Sequence, residues 1–230
     1  MTPPVLRELA PNLWVADRPL KLIVGEVGTR MTVIRLADGR LFLHSPARLD
    51  DATRAALDQL GPVGCVVAPS KVHHFFVGDY ATAYPAARVY GPPGLAAKRK
   101  DLTLHAELGD AAPPEWAAEI EQHLFRGAPY LNEVVFFHRA SRTLLLTDLA
   151  FNVARDKTAG ARMFYSLVGA AGRFGPHRMV RLMIRDRSAA RASVQRILQW
   201  DFDRVTVTHG NVLETGGRQA FTTAFAFVGA

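Results

Sequence analysis

Residues 65–74 read CVVAPSKVHH, a short apolar run followed directly by a polar loop with two adjacent histidines. Such a run is typical of a strand buried on both faces. Two later runs also end in polar residues, TLLLTD at residues 143–148 and VTVTH at residues 205–209. Because the carboxyl ends of strands gather functional side chains in α/β folds, we expect His73, Asp148 and His209 to converge within about 8 Å.

The segments around these runs alternate between strand-like and helix-like patterns. Short apolar runs before residue 45, with a hairpin turn at Ala37–Arg40, predict a β-rich start. Further predicted elements are helices at Asp50–Leu60, Asp79–Tyr84, Arg162–Leu182 and Ser188–Trp200, and strands at Arg88–Tyr90, Glu133–His138, Thr143–Thr147, Arg204–Thr208 and Ala220–Val228. Strands that meet helices in both halves predict a layered α/β fold. We expect two facing mixed sheets with helices on their outer faces, in a single domain over residues 1–230.

The composition is that of an ordinary globular protein, with 49% hydrophobic and 21% charged residues. No apolar run approaches the ~18–20 residues of a transmembrane helix. Residues 1–19 carry prolines and charges where a secretory signal has an apolar core. Cys65 is the only cysteine, which excludes a disulfide within the chain. We therefore expect a cytoplasmic protein.

The net charge of +7 is concentrated in one segment. Arg155–Arg196 contains ten basic residues against two acidic ones. Such a segment attracts phosphates or an anionic membrane face, or it forms the solvated face of helices. The solvated face is the favoured interpretation because no base-reading motif accompanies the charge, which argues against a nucleic-acid partner.

Several motifs resemble the metallo-β-lactamase superfamily, with a similarity that runs from Leu13 to Phe227. The segment YPAARVYG at residues 84–91 is similar to a strand of that family, and EVVFF with RTLLLTD resembles the strand pair that leads to its bridging aspartate, here Asp148. Thr208-His209-Gly210 resembles its final histidine motif. The chain looks closest to a branch known as a domain of unknown function. The resemblance implies a four-layer αββα sandwich.

The metal loop departs from that family's H-x-H-x-D-H-x-G pattern. With Gly78 as anchor, His73 falls on a ligand position, Lys71 replaces the first histidine, and Phe75 and Phe76 replace the aspartate and the third histidine. The family's next histidine is also missing, since residues 127–132 contain none. Phenyl rings cannot ligate a metal, so we expect both to be buried where the second metal site would lie.

The remaining donors predict an eroded, mononuclear site. His73, Asp148 and His209 are the candidate ligands, His74 is a substitute, and Glu133 would act as ligand or general base, with Asp148 the other catalytic carboxylate. Three or four such ligands suit one divalent ion, which would be zinc, iron or manganese. The leading hypothesis is a metal-dependent hydrolase whose substrate these motifs do not specify.

The alternative is a non-catalytic descendant that holds no metal and binds a small anionic ligand or a protein partner in the old cleft. In that version the Lys71 ammonium would take the place of the metal cofactor and pair with Asp148 or Glu133. The motifs do not specify an oligomeric state.

Another strand-end tripeptide, His44-Ser45-Pro46, is interpreted as a hydroxyl-capped turn.

Overall fold

The computed structural model describes residues 4–22, 25–26, 28–153, 169 and 172–229, and its largest element is a seven-stranded sheet. In spatial order the strands are β1 (Arg7–Ala10), β2 (Leu13–Arg18), β5 (Thr29–Arg35), β6 (Leu41–His44), β7 (Val63–Val67), β8 (Arg88–Gly91) and β9 (Ala106–Glu107). The first four pair antiparallel, and β6 to β9 pair parallel. A small hairpin of β3 (Lys21–Leu22) and β4 (Gly25–Glu26) connects β2 to β5.

A second, four-stranded sheet comes from the later part of the chain. Its order is β10 (Ile120–Leu124), β11 (Val134–His138), β12 (Thr143–Leu145) and β15 (Arg204–Thr206), with only the last pair parallel. A short pair, β13 (Phe151–Asn152) and β14 (Phe174–Gly175), stands beside it. Within the described residues the helices are α1 (Asp51–Leu60), α2 (Val77–Ala83), α3 (Leu95–Lys98), α4 (Arg178–Met183), α5 (Arg187–Ile197) and α6 (Gly217–Phe225), followed by a 3-10 turn at Ala226–Val228.

Three buried clusters of apolar side chains define four layers. Between the sheets, the Phe42 ring lies 5.6 Å from the Phe136 ring and 4.9 Å from the Trp116 ring. A second cluster packs α1, α2 and α3 on the outer face of the large sheet, and a third packs α4, α5 and α6 on the four-stranded sheet. Successive residues of β7 face opposite clusters, with Cys65 and Val67 between the sheets and Val66 toward the helices, as the period of a strand requires. The predicted αββα sandwich is therefore confirmed.

The predicted strand at Ala220–Val228 is wrong, because this segment forms α6 and the 3-10 turn. Phe221, Ala224, Phe225 and Val228 are buried, and their spacing marks one face of a helix rather than a strand. A short apolar run fits either period, so the sequence pattern did not separate the two.

The other helices lie close to their predicted positions. Asp50 caps α1, since its side chain accepts a hydrogen bond from the Thr53 amide. The helical stretch predicted over Arg162–Leu182 is wrong at residues 172–177, which are not helical and contain β14, and helix α4 begins only at Arg178. Residues 162–168, 170 and 171 lie outside the described residues. Within the part of the chain that is described, no helix is long and apolar enough to cross a membrane.

The basic segment Arg155–Arg196 is described only in part, because Arg155, Lys157 and Arg162 fall outside it. Several of its other arginines have structural contacts. The Arg181 guanidinium lies 4.5 Å from the Phe227 ring, and that of Arg196 contacts Glu121 and the Trp200 ring. These contacts agree with the interpretation that the arginines of this segment lie on the solvated face of helices.

Candidate metal centre

Three of the predicted donor residues meet at one edge of the sandwich. His73 Nε2 lies 3.2 Å from one carboxylate oxygen of Asp148, and His209 Nε2 lies 3.5 Å from the other. The two imidazole rings are 5.2 Å apart between centroids. One donor atom from each residue lies within 4.8 Å of the others. Their side chains are 10–12% exposed, so the cluster is nearly buried yet reachable from solvent.

Each donor follows the carboxyl end of a strand. His73 stands in the loop after β7, where Ser70 Oγ accepts hydrogen bonds from the amides of Val72 and His73. Asp148 follows β12, and His209 follows β15. Because β12 and β15 pair in parallel, their carboxyl ends lie at the same edge of the sheet.

The environment of His209 defines its tautomer. Its Nδ1 lies 2.8 Å from the carbonyl oxygen of Gly28, and a carbonyl can only accept. Nδ1 therefore carries a proton, and whenever the ring is neutral the lone pair is on Nε2. That lone pair faces a carboxylate oxygen, an arrangement that repels unless a proton or a cation lies between them. A histidine that donates its other N–H to a backbone carbonyl is the usual partner of a metal ion.

His73 has an equivalent support that the sequence analysis missed. Its Nδ1 lies 3.1 Å from Ser45 Oγ. Ser45 is buried and adopts a φ of 54°, a left-handed conformation that is uncommon for serine. Since the hydroxyl can either donate or accept, it can support His73 with Nε2 protonated or free. The turn was predicted, but its contact with His73 depends on β6 and β7 being neighbours.

Glu133, the predicted ligand or general base, lies behind the cluster. Its carboxylate accepts hydrogen bonds from the backbone amides of Thr147, Asp148 and Leu149, at 2.7, 2.9 and 3.0 Å. The residue is 1% exposed, so its oxygens are neither free nor accessible. Burial and the charge of Asp148 raise the pKa of Glu133 to about 7, against the opposing effect of the amides. Glu133 therefore anchors the loop that presents Asp148.

The charge at Asp148 depends on the two histidines. Burial by itself would raise the pKa of this carboxyl, but His73 and His209 outweigh burial and lower it. Among the described residues, no lysine or arginine nitrogen lies within 4.0 Å of Asp148 or Glu133. Among the described residues, the two histidines are therefore the nearest side chains to Asp148 that can carry a positive charge.

Lys71 and His74 lie outside the cluster. The Lys71 ammonium approaches Gly94 rather than Asp148 or Glu133, and the Lys71 carbonyl accepts a hydrogen bond from Lys98. His74 Nδ1 lies 2.9 Å from an Arg99 nitrogen, and His74 does not belong to the group of donors formed by His73, Asp148 and His209. Burial and the nearby cations lower the pKa of His74. The expected Lys71 ion pair is absent from the described contacts, because the side chain follows the loop toward α3.

The two phenylalanines that replace metal ligands behave differently from each other. Phe75 is 64% exposed, so the expectation that it is buried is wrong. Its ring leans on His74, whereas Phe76 is half-buried against the core under α2. One exposed ring and one core ring therefore occupy these positions, rather than a dry pocket.

Aromatic side chains form one wall of the cluster. The Phe151 ring stacks on His209, with 5.3 Å between centroids and 12° between planes. The His177 ring also lies against Phe151, with 4.5 Å between centroids, and His177 caps α4 through its Nδ1. His44 is buried against Phe136, and burial together with His73 lowers the pKa of His44 to about 3. His44 is therefore a neutral core residue.

Solved structures of metallo-β-lactamases match this chain over nearly its whole length. DIM-1 metallo-β-lactamase exposed to ceftazidime matches with a TM-score of 0.67 and 13% identity, over 96% of each chain. FIM-1 from Pseudomonas aeruginosa, in its mono-zinc form, matches with a TM-score of 0.65 and 11% identity, over 97% of this chain and 94% of that one. The enzyme from Erythrobacter litoralis has a TM-score of 0.66 and 15% identity, over 97% and 95%. At these identities the likeness establishes the fold alone.

Comparison of sequences places the chain in one family. Among curated proteins, none matches it. A family model described as a domain of unknown function, DUF4336, matches residues 11–171, well over half of the chain. That range includes His73, Glu133 and Asp148, and it ends before His209. This chain, with a metallo-β-lactamase fold, belongs to the DUF4336 family.

Proposed function

We propose that the protein is a mononuclear metal-dependent hydrolase, with His73, Asp148 and His209 as its metal ligands. The observation that carries the proposal is their convergence within 4.8 Å, with the His209 ring oriented by the bond from Nδ1 to the Gly28 carbonyl so that Nε2 faces Asp148. Two histidines and a carboxylate are ligands that zinc, iron and manganese accept.

The local charge also supports a bound cation. Glu133 and Asp148 are both buried, and burying carboxylates without a counter-charge is costly. A divalent ion would balance these charges without requiring either histidine to be protonated. FIM-1, a metallo-β-lactamase of similar fold, has been solved in a mono-zinc form, so a single ion is compatible with this architecture.

Hydrolysis follows from the open part of the proposed coordination shell. When bound, a divalent ion supplies Lewis-acid chemistry that polarises an ester, amide or phosphoryl oxygen and activates water. Three protein ligands leave room for a substrate oxygen, as in catalytic rather than structural sites. Ser45, Gly28 and Glu133 would each hold one ligand in place, and the Phe151 wall would exclude bulk water from one side.

The metal-free alternative has less support. It requires a positive side chain inside the cleft, and Lys71 lies against Gly94 instead. No other described residue supplies a lysine or arginine nitrogen within 4.0 Å of Asp148. An anion would then meet a carboxylate with no fixed cation beside it, which is unfavourable.

Metal analysis tests the first half of the proposal. Protein purified without chelator should contain about one equivalent of zinc, iron or manganese by mass spectrometry, and apo-protein should take up about one equivalent on titration. His209→Gln and Asp148→Asn should abolish uptake. His105→Gln is the matched control, since His105 is exposed and distant from the cluster. Uptake that survives Asp148→Asn would contradict the assignment.

Hydrolysis is tested separately with p-nitrophenyl acetate, bis-p-nitrophenyl phosphate and a simple thioester. We expect turnover of at least one class, lost with chelator and with Asp148→Asn, and restored in the wild type by metal. A protein that binds one ion tightly but hydrolyses none of the three would contradict the hydrolase proposal and leave the metal site intact.

A further inference from the structure

The start of β5 reaches across the sandwich to the segment that carries His209. Arg30 donates a hydrogen bond from Nη1 to the carbonyl of Val207, at 2.8 Å. The Gly28 carbonyl accepts from His209 Nδ1, also at 2.8 Å. The paired residues are 177 and 181 positions apart in sequence, so only the packed sandwich brings them together. Residues 28–30 thus hold residues 207–209 at two points.

The Arg30 guanidinium also forms an ion pair within its own sheet. Its Nη2 lies 2.7 Å from a carboxylate oxygen of Asp17, which stands directly opposite in the register of β2 and β5. The Arg30 side chain is 7% exposed, whereas that of Asp17 is 51% exposed. Burial lowers the pKa of Arg30 and Asp17 raises it, but a guanidinium stays charged in proteins. One terminal nitrogen of the guanidinium is therefore held by Asp17 at the surface, and the other reaches the Val207 carbonyl after β15.

A buried arginine is a costly way to fill space. Apolar residues of similar volume often stabilise a fold as well as a buried ion pair does, or better. The position of Arg30 therefore calls for a role beyond packing. Its contact is with the carbonyl two residues before His209, and ligand orientation has little tolerance because bonds from zinc to histidine are about 2.0–2.1 Å long.

We propose that Arg30, anchored by Asp17, is a positioning residue that holds His209 Nε2 toward Asp148 and His73. The inference rests on the proposed metal site, but the clamp is also visible in the metal-free protein through the His209 tautomer. Groups that orient a metal ligand typically change metal affinity by about 10–100-fold when they are removed.

The test compares three variants with a matched control. Arg30→Met removes both polar contacts and keeps the length of the chain, and Arg30→Lys keeps one donor. Asp17→Asn weakens the anchor at a half-exposed site and should fold even if Arg30→Met does not. Arg35→Met is the control, because Arg35 is exposed on the same strand and bonds to Asn12 of its own sheet.

Two measurements are made on each variant. Cobalt titration, followed by visible absorption, reports the affinity and the geometry of the site. Long-range proton–nitrogen NMR of apo-protein reports the His209 tautomer, with His209→Gln for assignment. We expect about 10–100-fold weaker cobalt binding and a mixed tautomer in Arg30→Met, smaller changes in Arg30→Lys and Asp17→Asn, and wild-type values in Arg35→Met.

The outcomes separate the clamp from the metal site. Folded Arg30→Met with wild-type affinity, spectrum and tautomer would overturn the clamp, as would an unchanged Asp17→Asn if Arg30→Met does not fold. A wild-type protein that binds no cobalt would refute the metal proposal. In that case the tautomer of His209 in the variants still decides the clamp, since that signal needs no metal.

Discussion

Replacement of Glu133 by glutamine tests the anchor beneath Asp148. The carboxylate accepts three backbone hydrogen bonds at 2.7–3.0 Å, and glutamine can accept through one oxygen only. If the glutamine oxygen accepts from the backbone amides of Asp148 and Leu149, the glutamine NH2 group faces the backbone amide of Thr147. Two hydrogen-bond donors then oppose each other. Loss of one bond to a charged group costs about 1.5–3 kcal/mol, and a buried unsatisfied donor adds about 1–3 kcal/mol.

Part of that cost is offset, because Glu133→Gln also removes a negative charge beside Asp148. We therefore expect apo-protein to lose about 2–4 kcal/mol of unfolding free energy. Metal affinity should fall by about 10–100-fold, since Asp148 loses its anchor and the site loses a charge. The assays are urea unfolding in chelator, followed by circular dichroism, and metal titration of the folded variant.

Glu119→Gln is the matched control for this experiment. Glu119 accepts one bond from the Ala37 amide on the exposed surface, and a glutamine oxygen can replace it. Its unfolding free energy should match that of the wild type within about 0.5 kcal/mol. A Glu133→Gln protein with wild-type stability would refute the anchoring role. A variant with normal stability and metal affinity but no turnover would instead restore Glu133 as a general base.

Three further predictions follow from the structure. Ser45→Ala should weaken metal binding about tenfold on titration by removing the hydroxyl from His73, and Ser45→Gly should melt higher than Ser45→Ala because φ is 54°. Lys71→Ala, at a half-buried side chain that makes no ion pair in the described contacts, and Phe75→Asp, at an exposed ring, should each change the urea-unfolding free energy by less than about 1 kcal/mol, and a loss of 3 kcal/mol in either would contradict the loop geometry. Burial lowers the pKa of His138 from its ordinary 6.5 to about 4, so the unfolded chain takes up this proton first as pH falls. Stability should therefore decline between about pH 6.5 and 4, by about 3 kcal/mol from this group, and His138→Gln should flatten the decline in urea titrations across that range.

The sequence patterns predicted the layered fold because strand and helix periods repeat in both halves of the chain. β7 and β12 stood out as apolar runs, and Asp50 marked the start of α1. The last element was misread because Phe221, Ala224 and Phe225 belong to an apolar run that fits both periods. Whether such a run forms a strand or a helix depends on the partner surface available to it, here the outer face of the four-stranded sheet.

The candidate ligands could be predicted for a similar reason. His73, Asp148 and His209 each follow a buried strand, and strands that run in parallel bring their carboxyl ends to one edge. Their supports could not be predicted, since Ser45, Gly28 and Glu133 contact them across strands or between sheets. Residue type specifies which atoms can bind a cation, whereas the packing of the two sheets decides which of those atoms face one another. For this reason Glu133 became an anchor, and Lys71 points away from the site that its position in the loop had suggested.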